Sequence, residues 1–206
     1  LVKRRRREGS DGLAESVPAE AQKKRKMMMG LVKEAAAFAK KAHAGQTRKY
    51  TGRPYTEHLE RVAQAISATE GATPEVVAAA WLHDAVEDTP VTLDEIRELF
   101  GERVADLVGW LTNPSKGMAL LRAERKRIDR DHLAKASPEA KVIKMLDRLD
   151  NLAEMELAPA EFQKLYGEES LLLAQAVGDA DPKLRDNLVN SARALIASSG
   201  HERRDK

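Results

Sequence analysis

Seven consecutive apolar residues, Val76-Val77-Ala78-Ala79-Ala80-Trp81-Leu82, run directly into His83-Asp84-Ala85-Val86-Glu87-Asp88. This feature constrains the fold more than any other, because an apolar helix is made to end in an imidazole and three carboxylates. The macrodipole disfavours anions at a helix C-terminus. His83 and Glu87 are four residues apart, as are Asp84 and Asp88, so on a continuous helix each pair shares a face. Negative charge gathered at the wrong end of a helix needs compensation, and a bound cation supplies it most simply. The plainer alternative is a solvated acidic helix end with His83 hydrogen-bonded in the core. Four ionisable groups after so long an apolar approach favour a site.

A second segment carries the same tension. Val142-Ile143-Lys144-Met145-Leu146-Asp147-Arg148-Leu149-Asp150-Asn151-Leu152 is an apolar helix interrupted by Asp147, with Asn151 one turn on along the same face. A carboxylate bordered by Met145, Leu146 and Leu149 is costly to bury unless it is paired or bound to metal. Pairing with Arg148 or another local base at the surface is the alternative. His58 begins a further helix after an irregular loop and offers a second imidazole. The sequence has no cysteine, so thiolate ligands and disulfides are excluded. Two histidines and two aspartates make a nitrogen–oxygen set suited to Mn²⁺, Fe²⁺, Zn²⁺ or Co²⁺. His43 is a weaker candidate, and His132 and His201 have no comparable context.

The rest of the pattern is helical. Leu31, Ala35, Phe38, Ala39 and Ala42 form a stripe at three- and four-residue spacing. Thr73-Pro74, Ser137-Pro138 and Asp181-Pro182 each set a capping side chain before a proline suited to the first helical position. Thr92 and Glu95 form a capping box, with Val91 and Ile96 as its hydrophobic staple. Gly101 separates a helix ending at Phe100 from one running to about Leu111. Further helices fit approximately 119–134, 138–157, 161–177 and 182–197. Gly45 to Tyr55 is a long irregular segment and a candidate functional loop. Aromatic residues make up only 4% of the chain, which favours helices packed through small and aliphatic side chains. The expected fold is all-α, a bundle of about eight to ten helices.

Charge is unevenly spread. Residues 1–26 carry nine basic and four acidic groups, a net of +5, leaving −3 for the remainder of a chain whose total is +2. They lack an apolar period and are expected to be a disordered basic tail, with a domain over 27–200 and a flexible C-terminus at 201–206. Attachment of Arg4–Arg7 to nucleic acid or membrane is the functional alternative to a solvated tail. Leu1 at the start, with Met27-Met28-Met29 just before the first periodic segment, keeps open a native start at those methionines. The slightly acidic body argues against nucleic acid as a partner. No apolar run approaches the roughly 18 residues that span a bilayer. No secretory signal is seen, so a cytoplasmic location is expected.

His58, His83-Asp84 and Asp147 together resemble the H…HD…D metal signature of HD-domain phosphohydrolases. The chain is more specifically similar to the hydrolase domain of RelA/SpoT homologues, and most of all to the stand-alone small alarmone hydrolases. The segments that carry this are Phe38–Lys49, Thr51–His58, Leu82–Thr89, Phe100–Val104, Glu124–Arg127 and Lys144–Leu152, within a resemblance covering residues 31 to about 197. It implies that His58, His83, Asp84 and Asp147 hold one divalent ion, usually Mn²⁺. It implies that Glu87 and Asp88 position and activate the attacking water. It further implies that Arg48, Lys49 and Asn151 contact a small-molecule nucleotide, and that His43 is a motif histidine outside the ligand set. The expected reaction is hydrolysis of the 3′-diphosphate of guanosine tetra- or pentaphosphate, releasing pyrophosphate and GDP or GTP.

The chain departs from that pattern at Leu59, where the family commonly has proline, and at Leu146, where a small alanine is usual. Ala153 and Glu154 replace basic and polar residues, and Ser170 stands near a usual tyrosine, with Tyr166 one turn earlier. These departures touch the nucleotide pocket more than the metal site. Two alternatives therefore remain: another phosphate ester, such as the 2′-phosphate of NADPH that some animal relatives accept, and a degenerate scaffold that only binds. The intact ligand set and acidic pair argue against the scaffold. After residue 160 the helical period continues to near the end, so no synthetase domain is expected. A homo-oligomer stays open.

Overall fold

A computed structural model describes residues 19–200, with side chains from Met29 onward. The expectations for residues 1–18 and 201–206, and His201, lie outside the described residues. Among the described residues the chain forms ten α-helices, one 3₁₀ turn and no strand, in keeping with the expected all-α bundle. They are α1 (Ala19–Ala42), α2 (Tyr55–Ser67), α3 (Pro74–Leu82), α4 (Ala85–Asp88), α5 (Leu93–Phe100) and α6 (Glu102–Leu111). There follow α7 (Arg122–Leu133), α8 (Pro138–Glu154) with the 3₁₀ turn Met155–Leu157, α9 (Ala160–Val177) and α10 (Pro182–Ser199). No helix among them is long and apolar enough to cross a membrane.

The capping chemistry places the starts as expected. Thr73, Ser137 and Asp181 each accept from a backbone N–H three residues on, with proline at the first helical position. Thr92 Oγ1 accepts from Glu95 N at 3.2 Å. Gly101, at φ +87°, ends α5 and starts α6 in a conformation that favours glycine. Two boundaries differ. The first helix begins at Ala19 rather than near Leu31, so the expected tail of 1–26 overlaps it. Residues 19–26, Ala-Glu-Ala-Gln-Lys-Lys-Arg-Lys, are all strong helix formers, and propensity carries the helix past the point where the apolar stripe stops. The seventh helix starts at Arg122 rather than about 119, because Asn113-Pro114-Ser115 and Gly117 shape a turn before it.

The α3 helix is apolar all round and sits at the centre, packed by α1, α2, α6 and α8. Its Ala78, Ala79, Ala80 and Leu82 are fully buried, and the three alanines let the neighbouring helices approach closely. The α8 helix crosses beside it, between α2, α6, α9 and α10. The α9 and α10 helices pair tightly: a Cβ built on Gly167 would lie 2.5 Å from Ile196 Cγ1 and 3.0 Å from the Ala192 carbonyl oxygen. This frame brings the C-terminal end of α3, the start of α2 and the middle of α8 to one place.

Candidate metal centre

The apolar segment does not continue as one helix through His83. The third helix ends at Leu82, Asp84 takes φ −102° and ψ −2°, and α4 starts afresh at Ala85. The expectation of one continuous helix through His83 is therefore corrected, although Asp84 and Asp88 still share a helical turn, with Asp88 N donating to the Asp84 carbonyl oxygen at 2.8 Å. A physical reason is visible. His83 Nδ1 lies 2.7 Å from the Ala80 carbonyl oxygen, the acceptor that the N–H of residue 84 would meet in an uninterrupted ladder. Asp84 and Asp88 both reach the Tyr55 hydroxyl, while Glu87 turns to Asn113.

Four side chains from three elements converge there. His58 comes from α2, His83 and Asp84 from the break after α3, and Asp147 from α8. One ligand atom of each lies within 4.8 Å of all the others. His58 Nε2 is 3.3 Å from Asp147 Oδ1 and 3.7 Å from Asp84 Oδ2. His83 Nε2 is 3.0 Å from Asp84 Oδ2 and 3.7 Å from Asp147 Oδ1. Donor atoms about 2.1 Å from a shared ion stand about 3.0 Å apart at right angles and about 3.4 Å apart in a tetrahedron, so this spacing fits a single divalent cation. Both Nε2 atoms are buried, and their contacts with the carboxylates lack hydrogen-bond alignment. Two buried imidazole Nε2 atoms facing two carboxylate oxygens are the donor set such an ion requires.

The electrostatics agree. Burial alone would lower the histidines' pKa values, but Asp147, Asp150 and Asp84 raise His58 to about 11. Burial is likewise outweighed at His83, where Asp84 and Asp147 raise the pKa to about 9. Burial alone would raise Asp84 and Asp147; His83 holds the first, and Lys144 the second, well below the usual carboxylate range. The site thus has a strong negative field that favours positive charge. Asp147 divides its oxygens: Oδ1 faces the imidazoles and Oδ2 takes Lys144 Nζ at 2.8 Å. Of the alternative, a pair with a local base holds through Lys144, but it is neither with Arg148 nor at the surface. Asp147 is buried, and Arg148 instead lies over the Tyr166 ring and donates to Ser170 Oγ.

The other singled-out residues surround this centre unevenly. Both Glu87 oxygens accept from Asn113 Nδ2, at 2.7 and 2.9 Å. Burial, only partly offset by Lys144 and Asn113, pushes the Glu87 carboxyl up. Glu87 borders a cleft of about 220 Å³ that is also lined by Lys116, Arg122, Arg125, Lys126 and Asp129. Asp88 is exposed; it accepts from the Tyr55 hydroxyl at 3.3 Å and pairs with Lys116 at 3.4 Å. Arg48 is buried rather than a free loop cation. Its Nε donates to Glu154 and its Nη2 to Asn151 Oδ1, each at 2.7 Å. Asn151 Nδ2 donates to Asp147 Oδ1 at 2.5 Å. Lys49 turns outward, its ammonium over the rings of Tyr50 and Phe162. Gly45 to Tyr55 is closed by backbone bonds around a Thr47–Pro54 bridge, with Arg48 N donating to the Arg53 carbonyl oxygen at 2.8 Å and Gly52 N to that of Arg48 at 2.9 Å. His43 stays outside the ligand set, stacked on Tyr55 at 5.1 Å.

Several residues at the site had not been singled out from the sequence. The Tyr55 hydroxyl donates to Asp84 Oδ2 at 2.6 Å, and Lys144 anchors Asp147. Lys144 precedes Asp147 by three residues on an apolar helix, a spacing that could have signalled the pair. Asp150 and Glu154 continue the Asp147–Asn151 face of α8, one turn at a time. The link of Asp150 to Arg61 and His58 crosses between helices and has no local signal. Among the departures, Leu59 is fully buried, and Ser170 donates to the Tyr166 carbonyl oxygen at 2.7 Å.

A family model described as "HD domain" matches residues 35–174. A guanosine-3′,5′-bis(diphosphate) 3′-pyrophosphohydrolase of Homo sapiens is 42% identical over 124 residues, covering 59% of this chain and 68% of the relative. The corresponding Xenopus tropicalis protein is 38% identical over 133 residues, covering 64% and 73%. A solved structure of a metazoan SpoT ortholog, described as hydrolysing ppGpp and acting in starvation responses, superposes with a TM-score of 0.64. It is 31% identical and is matched over 82% of this chain and 96% of its own.

Proposed function

The chain belongs to the HD-domain family, among its guanosine-3′,5′-bis(diphosphate) 3′-pyrophosphohydrolases, and from that premise we propose how its own residues carry out the reaction. It removes the 3′-diphosphate of guanosine tetra- or pentaphosphate as pyrophosphate and leaves GDP or GTP. The observation that carries this reading is the convergence of His58 Nε2, His83 Nε2 and oxygens of Asp84 and Asp147 beside a cation-lined cleft. We assign those four residues as the holders of one divalent ion, with Mn²⁺ as the metal. A cytoplasmic location belongs to the same proposal.

When bound, such an ion polarises a phosphoryl oxygen and makes water acidic enough to supply a nucleophile near neutral pH. Glu87 accepts the proton of the attacking water. Its raised pKa brings it closer to the working pH, which improves a general base. The water oxygen forms a bond to the phosphorus carried by the ribose 3′ oxygen. The bond from that phosphorus to the 3′ oxygen breaks, the 3′ oxygen gains a proton, and pyrophosphate departs. Asp88 and the Tyr55 hydroxyl hold the solvent-facing side of Asp84. Lys116, Arg125 and Lys126 meet phosphate charge in the cleft, while Arg48 and Asn151, bonded to each other and through Asn151 to Asp147 Oδ1, contact the nucleotide from the α8 side of the metal centre. Lys49, over Tyr50 and Phe162, lies on the outer rim and screens the nucleotide's charge as it enters.

The test incubates the purified chain and Mn²⁺ with a panel of phosphate-bearing nucleotides and separates pyrophosphate from orthophosphate. Pyrophosphate from guanosine tetraphosphate, lost on Asp84→Ala substitution, is the expected result. Orthophosphate from NADPH with no pyrophosphate from the alarmone would move the activity to a different ester. Full metal-dependent turnover by Asp84→Ala would remove the site assignment.

A further inference from the structure

The two imidazoles reach the same point but are held from behind by different groups. His83 Nδ1 meets a neutral backbone acceptor, the Ala80 carbonyl oxygen. His58 Nδ1 instead lies 2.6 Å from Asp150 Oδ2. Asp150 is gripped in turn by Arg61, whose Nε donates to Oδ1 at 2.6 Å and whose Nη2 donates to Oδ2 at 2.9 Å. Arg61 Nη2 also donates to Glu154 Oε1 at 2.8 Å, so the guanidinium is fixed between two carboxylates one turn apart on α8. His58 and Arg61 are three residues apart on α2, which brings both onto the same carboxylate.

An imidazole that donates Nδ1–H to a carboxylate presents Nε2 as a free lone pair, fixes its ring plane and becomes a stronger donor to a metal. We propose that Asp150, clamped by Arg61, is the positioning residue that makes His58 an Nε2 ligand. This rests on the metal-site reading above and adds to it a carboxylate that touches neither ion nor substrate. Its main effect is on metal affinity rather than on folding. The Arg61 side chain is 36% exposed, so water screens its side of the ion pair, and what the pair adds to folding is present without metal and is read separately by the melts of the stripped proteins.

The experiment titrates Mn²⁺ into the metal-stripped full chain and follows the free-ion signal by electron paramagnetic resonance. It compares the native sequence with Asp150→Ala, Asp150→Asn and Arg61→Met, alongside thermal melts of the stripped proteins. Loss of such an orienting partner weakens metal affinity by about 10–100-fold, and Asp150→Ala is expected in that range. Asp150→Asn, which keeps an acceptor for Nδ1–H without the charge, and Arg61→Met fall between it and the native chain. Turnover at saturating Mn²⁺ falls less than Mn²⁺ affinity, a split that a merely structural role does not produce. Mn²⁺ affinity equal to the native chain's in Asp150→Ala overturns the proposal. Should that variant not fold, native affinity in both Asp150→Asn and Arg61→Met does the same. Failure of the native chain to bind Mn²⁺ would instead overturn the metal-site reading beneath it.

Discussion

Replacing Asp147 by Asn separates the structural duty of that carboxylate from its metal-binding duty. The Asp147 side chain is 6% exposed and that of Lys144 13%, and they meet at 2.8 Å. Burial alone would lower the Lys144 pKa, but Asp147, Asp84 and Glu87 raise it, so the ammonium is charged. Breaking a buried pair by removing one partner costs about 3–5 kcal/mol, because the other charge is left without compensation. Asp84 and Glu87 remain in the field of Lys144, so Asp147→Asn is expected near the lower end, at about 3 kcal/mol. For a chain of this size that is a fall of about 6–12 °C in melting temperature. Adding Lys144→Met removes the stranded charge, and the double variant should recover most of the loss in metal-free buffer. Metal linkage then behaves differently. At Mn²⁺ one hundredfold above its dissociation constant, a bound ion stabilises the native chain by about 2.7 kcal/mol. Both variants should show a smaller gain, because a neutral amide oxygen at position 147 is a weaker ligand than the carboxylate. Urea unfolding with EDTA and with Mn²⁺, on all three proteins, measures both quantities. A double variant that is as weakened as Asp147→Asn in EDTA, or that gains the full native increment with Mn²⁺, would refute the reasoning.

Three further outcomes follow from particular contacts. Because burial raises the Glu87 carboxyl, the acidic limb of the pH–rate profile should lie above the ordinary glutamate range, with activity rising as the proton leaves; Glu87→Gln should remove that limb and lower kcat by about 10²–10⁴-fold, and an unchanged limb would exclude Glu87 as the base. Gly167→Ala gains helix propensity of about 1 kcal/mol but sets a Cβ 2.5 Å from Ile196 Cγ1 and 3.0 Å from a backbone oxygen, so net destabilisation by urea unfolding is expected. Burial alone would raise Asp150, but hydrogen bonds from His58 and Arg61 hold it down from 3.8 to about 2. Its contribution to the metal-free protein is therefore full above about pH 4 and is lost as pH falls toward 2. Asp150→Asn should flatten that part of the acid-unfolding curve, and an unaltered curve would contradict the pairing.

The fold was legible where physics is local. Proline after a capping side chain marked three helix starts, and the apolar run at 76–82 announced the buried central helix. The residues that meet at the centre were legible as well, because Asp147 in an apolar helix and carboxylates after α3 are both costly without a partner. What stayed hidden depends on how elements cross. A smooth helix through His83 was the natural expectation from spacing, yet the imidazole's bond to Ala80 stops it. Arg48 reads as a loop residue that contacts the nucleotide, but nothing local shows that α8 brings Glu154 and Asn151 against it. The basic cleft beside Glu87 draws on the turn after α6 and on α7, which no periodicity ties to the metal ligands.

The most direct measurement is a crystal structure of the Mn²⁺-loaded protein with anomalous data collected above and below the manganese edge. One manganese peak bonded to His58 Nε2, His83 Nε2 and oxygens of Asp84 and Asp147 is the predicted result. A peak held by other residues, or none at a concentration that supports turnover, would contradict it.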